Sequence, residues 1–252
     1  MTDPRRIIAL SGPERVDFLQ DLVTNDIRRS EGLTYAALLT PQGKYLADFF
    51  VAHDGAGDDG RLLIDVAASQ ADGLLARLNM YKLRRKVEIA AIDLGLGRGL
   101  GPAPEGAHAD PRHPDMGWRA IGGRDGAEPV DWDALRVRLG IPQAGIELIA
   151  GESFILELGF ERLNGVDYRK GCFVGQEIVA RMHHKTELRK GLVRVALSGD
   201  AAPGTTITAE GRPAGTLHTV SGDRALAYLR FDRADGPLDA GGVELSLEEK
   251  LI

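Results

Sequence analysis

The chain has 252 residues, 43% of them hydrophobic, with 31 Lys and Arg against 37 Asp and Glu and a formal net charge of -6. That length supports one large or two to three small domains with buried cores, and the acidic balance argues against a dedicated nucleic-acid or membrane-surface binder. A single cysteine cannot close an internal disulfide, and neither a secretory leader over Met1 to Leu10 nor an 18-residue apolar run is seen, so a cytoplasmic globular protein with no membrane association is expected.

In chain order, Ile7 to Leu10 reads as a short strand, and Gly12-Pro13-Glu14 opens a helical pattern through Val16, Leu19, Leu22 and Val23. Tyr35 to Leu39 and Tyr45 to Val51 flank the Pro/Gly turn Thr40 to Lys44, which predicts a hairpin whose second strand carries Asp48 among apolar neighbours. Leu62 to Val66 predicts a strand, Ser69 to Tyr81 a helix and Val87 to Ile89 another strand. Between the last two lies Tyr81-Lys82-Leu83-Arg84-Arg85-Lys86, whose four cations suit either a solvated face or a cradle for a polyanionic tail.

Gly95 to Pro114 is rich in Gly, Pro, Ala and His and predicts a surface excursion at a domain junction. Asp131 to Leu139 predicts a helix ended by Gly140. Leu192 to Leu197, Thr205 to Ala209, Arg224 to Leu229 and Val243 to Leu247 predict strands of a small β-barrel or sandwich. The class is α+β with an all-β tail, divided at about residues 1–100, 101–190 and 191–252.

The chemistry concentrates in Lys170-Gly171-Cys172-Phe173-Val174-Gly175-Gln176-Glu177. Ile178, Val179 and Met182 share one helical face, which places the thiol just before a helix N-terminus. Nearby cations and unsatisfied N–H groups there would favour the thiolate. The alternative is a small buried apolar residue, as free cysteines often are. The adjacent His183 and His184 point about 100° apart on a helix, which does not suit a shared metal. A resident cluster ordinarily needs more thiolates than one, so no metal site is expected.

With its continuation Val179 to His184 and Arg189-Lys190, this segment resembles the signature of the YgfZ-type folate-binding proteins, relatives of the T-protein (aminomethyltransferase) of the glycine cleavage system. Further stretches agree in order: Phe18-Leu19-Gln20 with Thr24-Asn25-Asp26, Leu39 to Lys44 with Asp48, Asp110-Pro111-Arg112 with Gly117-Trp118-Arg119, Gly140-Ile141-Pro142, and Glu157. The resemblance implies interleaved α+β portions and a C-terminal β-barrel around a central channel. It implies binding of tetrahydrofolate or a one-carbon derivative and assistance to iron-sulfur cluster assembly, with a transient cluster as cargo. The implied partners are assembly proteins and client enzymes, among them some that modify tRNA, without direct contact to nucleic acid.

The matched positions then acquire expected roles. Cys172 is the key thiol, with Lys170 and Asp48 as its companions in chemistry. Asn25, Asp48, Arg84, Trp118, Arg119 and Glu157 are the expected folate contacts: a carboxylate reads the pterin edge, an indole stacks on its face and a guanidinium meets the glutamate tail. The T-protein pattern has two adjacent aspartates where this chain has Ala47 and Asp48, a departure that weighs against aminomethyl transfer. A folate-dependent one-carbon transferase and a non-catalytic scaffold are the competing readings.

Overall fold

The computed structural model describes residues 4–28, 31–57, 59–185, 187–234 and 236–252. It divides into two compact units, one formed by the residues up to Val130 with Asn164–Gln176, the other by Asp131–Leu163 with Glu177–Ile252.

In the first unit, β1 (Arg5–Ser11), β2 (Leu33–Leu39), β3 (Tyr45–Asp54), β4 (Arg61–Ala67) and β5 (Glu88–Ile92) form an antiparallel sheet in the order β2-β3-β4-β1-β5. Alternation along each strand separates two faces. Ile8, Leu10, Phe49, Val51, Leu62 and Ile64 point to one, where α1 (Arg15–Gln20) and α2 (Ala68–Lys82) add Leu19, Leu74 and Leu78 to a common core. The other face carries Tyr35, Phe50 and Asp65, adjacent across β2, β3 and β4. That face is buried as well, which is why these strands read as near-continuous hydrophobic runs.

The expected helix ends sooner than its apolar spacing suggested. α1 stops at Gln20, and Leu22 and Val23 reach the core from the turn that follows. Gly95 to Pro114 also departs from expectation. It contains β6 (Leu96–Gly99) and β7 (His108–Ala109), which pair on either side of β8 (Trp118–Ile121). The glycines taken for loop residues mark close backbone approach instead. A Cβ at Gly97 would collide with the Arg124 backbone, and one at Gly99 would lie 2.6 Å from the Trp118 ring.

In the second unit, α3 (Trp132–Leu139) begins at Asp131, whose carboxylate caps the Ala134 N–H, and ends at Gly140 in the left-handed conformation. α4 (Gln176–Lys185) follows the Cys172 segment and continues into this unit. β9 (Lys190–Leu197), β10 (Thr206–Ala209), β11 (Arg212–Ser221), β12 (Arg224–Arg230), β13 (Leu238–Ala240) and β14 (Val243–Lys250) close a six-stranded barrel in the order β10-β11-β12-β9-β14-β13. Val193, Val195, Ile207, Leu217, Ala227 and Leu229 are among its core residues. Two of its strands, β11 and β13, escaped the hydrophobic pattern: β11 opens with Arg212-Pro213 and holds His218 and Thr219, and β13 is three residues long.

Candidate functional site

Cys172 lies in the irregular segment before α4 and is exposed, not buried as a small core residue. The thiol stands four residues ahead of the helix start at Gln176. Its flanks are anchored. On one side the Lys170 ammonium donates to the carbonyls of Gln20 and Val23, at 2.5 and 2.7 Å, and lies 5.1 Å from the centre of the Phe173 ring. On the other, Phe173 is buried, Val174 packs on the helix-covered core, and Gly175 sits where a Cβ would come within 2.7 Å of the Thr40 carbonyl oxygen. Gly171, with φ +98, turns the chain between these anchors. Partial burial depresses the Lys170 ammonium to about 8, against the opposing attraction of Asp21 and Asp26.

Asp48 is buried on the second face of the five-stranded sheet, where the hydroxyls of Tyr35 and Tyr45 donate to its two oxygens at 3.0 and 2.5 Å. Tyr45 reaches Asp48 because the register of β2 and β3 shifts between Leu38 and Leu39, a bulge that breaks strict alternation. Burial raises both phenols well above the ordinary range, and the Asp48 charge adds to it. Gln70 completes the cluster through its amide contact with the Tyr45 hydroxyl. Neither tyrosine nor Gln70 emerged from sequence reasoning. The signal available was an aspartate in an apolar strand, which demands polar partners without naming them.

Asn25 joins this group through the backbone, since its amide donates to the carbonyls of Tyr35 and Asn164 at 2.8 and 2.7 Å. Asn25 and Tyr35 line a cleft of about 600 Å³ with Asp26, Asp167, Tyr168 and Arg169, immediately before the Cys172 segment in sequence.

Arg119 is buried and donates to Asp110 at 3.0 Å and to Asp65 at 2.5 Å, with its guanidinium 3.9 Å from the centre of the Phe50 ring. Arg112 forms a two-bond fork with Asp110, and Arg5 donates to Asp65. Burial by itself would raise the Asp110 carboxyl, but Arg112 and Arg119 outweigh it and hold the group well below the carboxylate range. Trp118, next along β8, is buried against Gly99. Its indole N–H has no acceptor among the described residues.

Two expected contacts remain. Arg84 is exposed in the turn after α2. Glu157, in the barrel-containing unit, is buried and accepts a 2.5 Å hydrogen bond from Tyr228, with Lys190 3.8 Å away. Among the described residues no three His, Cys, Asp or Glu side chains gather as a metal set, and no helix is long and apolar enough to cross a membrane.

Residues 189–250 match the family model described as CAF17, C-terminal beta-barrel domain. The chain is 31% identical to the iron-sulfur cluster assembly factor IBA57, mitochondrial, of Mus musculus, over 94% of this chain and 78% of that protein. It is 29% identical to the human protein of the same name with the same coverage. Its similarity to the homologue of Mycosarcoma maydis, also 29% identical, takes in 79% of this chain but only 57% of that longer protein. The solved structure of glycine cleavage system aminomethyltransferase T from Bartonella henselae superposes with a TM-score of 0.78, over 98% of this chain and 83% of that one, at 14% identity. The fold is therefore T-protein-like, as the resemblance implied. The cytoplasmic expectation is overturned, because these relatives are named as mitochondrial. A lone cysteine excludes an internal disulfide and cannot say which compartment holds the chain.

Proposed function

Because the chain belongs to the IBA57 family of iron-sulfur cluster assembly factors, we propose that it serves assembly proteins and client cluster enzymes through Cys172, with a reduced folate held by the unit that presents the thiol. The observation that carries this reading is an exposed thiol on a segment whose two flanks are anchored. A single thiolate suits transient contact with a cluster in passage, since a resident cluster needs several. The cluster is cargo.

The donor set of the Asn25–Arg169 cleft fits a folate. Carboxylates Asp26 and Asp167 suit the donor edge of a pterin, Tyr168 suits its face, and Arg169 suits the terminal carboxylates of the glutamate tail. A volume of about 600 Å³ is in the range of small-molecule sites. The bound folate would supply a reduced pterin; the residues supply binding and orientation. Arg119 has its guanidinium committed to Asp65 and Asp110, so its part in this reading is to hold the sheet face in place. Asp48 likewise acts through Tyr35, which reaches the cleft.

The test is complementation of a deletion strain, reading the activity of four-iron enzymes, with anaerobic purification and spectroscopy for pterin and cluster absorption. Cys172→Ala is expected to abolish rescue while leaving the melting temperature unchanged, because the side chain is exposed. Full rescue by the alanine variant would remove the thiol from the mechanism. Conversion of an amine donor to methylenetetrahydrofolate would instead support a one-carbon transferase.

A further inference from the structure

β5 is the last strand of its sheet and pairs only with β1, in an unbroken five-residue register from Ser11↔Glu88 to Ile7↔Ile92. Glu88, Ala90 and Ala91 are exposed, and Ile89 and Ile92 are partly so. Sheet edges are ordinarily blunted by lysine, proline, a bulge or a covering element. This one carries Glu-Ile-Ala-Ala-Ile with no proline, lysine or bulge, and among the described residues no strand lies along its outer side.

The turn leading into β5 holds a second anomaly. Leu83 and Met80 are the two most exposed large apolar side chains described, at 87% and 59%. Leu83 also adopts φ +46, a conformation costly for a branched side chain that no glycine relieves here. The turn is held rigid around it: the Arg85 N–H donates to the Lys82 carbonyl, the Lys86 N–H donates to the Glu14 carboxylate at 2.6 Å, and the Arg85 guanidinium is drawn back to Glu14 and Asp21. Arg84 and Lys86 remain exposed beside Leu83. A chain of net charge -6 thus presents a basic, apolar knuckle at the N-terminal end of an open strand.

We infer that β5 and its preceding turn form a docking edge for an extended acidic peptide segment of a partner protein. The peptide adds antiparallel to β5, in keeping with every pairing in this sheet, and main-chain hydrogen bonds supply the affinity. Antiparallel addition carries the C-terminal end of the peptide past Lys86 and Arg84, so acidic residues there meet the cations while an apolar residue meets Leu83. The proposal does not depend on the folate reading.

Fluorescence anisotropy on the full-length protein tests it with a labelled synthetic peptide of alternating valine and threonine that ends in three glutamates. The parent peptide is expected to bind with a dissociation constant of about 10–100 μM at low salt. Binding should weaken at least about tenfold when alternate peptide nitrogens are methylated, when lysines replace the glutamates, or in an Arg84→Glu/Lys86→Glu variant that melts like the parent. Leu83→Ser should also weaken binding. Equal affinity of the N-methylated peptide would overturn strand addition, and absence of binding by the parent peptide would overturn the proposal altogether.

Discussion

Lys170 shows how much one side chain of the signature does before any chemistry begins. Its amine satisfies two carbonyls at and just beyond the end of α1, where backbone acceptors lack partners. A neutral amine still has two N–H donors, enough for both carbonyls. Its pKa is depressed from 10.5 to about 8 by burial, so between those values the unfolded chain binds the extra proton and the folded chain does not. Stability contributed through this group therefore rises as pH increases through that window, and below about 8 both states are protonated and the contribution is flat. The melting temperature of the wild type relative to Lys170→Met should climb between pH 8 and 10. An unchanged difference would show that the amine is charged and solvated throughout. Cys172, two residues on, needs no such environment to be accessible, since its exposure follows from the turn at Gly171.

At the scale of elements, the three-stranded sheet depends on glycine at places where sequence alone suggests a loop. Gly97 pairs with Ala120 across β6 and β8 while the Arg124 backbone lies where its Cβ would be. Gly97→Ala is expected to cost about 1–3 kcal/mol in urea unfolding, because backbone and not a flexible side-chain end has to move. The same sheet supplies Arg119, which joins Asp110 to Asp65 of β4. An apolar substitute for the entire network would fill the space, but removing a single member leaves a buried charge without compensation.

That network has a consequence for the stability of the whole molecule. Asp110 is ionised in the fold far below its ordinary value of 3.8, so its stabilising contribution is complete above that pH and declines as the solution is acidified below it. Asp110→Ala strands Arg112 and Arg119 and is expected to cost about 3–5 kcal/mol at neutral pH. It should also flatten the acid limb of the stability curve below pH 4, which urea titrations at several pH values would reveal. A small loss at neutral pH with an unchanged acid limb would mean that the two guanidinium groups find other partners.

By itself the sequence determined the α+β class, the barrel-forming tail, the hairpin around Thr40 to Lys44, the helix ended by Gly140, and the place of the Cys172 segment. Each of these is written in local periodicity, in a capping residue or in a contiguous motif. The tertiary structure decided what the motif residues touch. Asp48 is held by Tyr35 and Tyr45 through a register shift, Arg119 is consumed by Asp65 and Asp110, Trp118 is covered by glycines, and Arg84 stands in solvent on a separate turn. Such pairings span 54 residues between Asp65 and Arg119 and 71 between Glu157 and Tyr228. A local pattern carries the direction of a side chain from its own element but not the identity of the group that another part of the chain brings to meet it. Cys172 was legible as the functional thiol candidate because its neighbours are contiguous; that it is exposed, between an ammonium clamp and a glycine contact, depended on α1 and on the β2–β3 turn arriving from more than a hundred residues away.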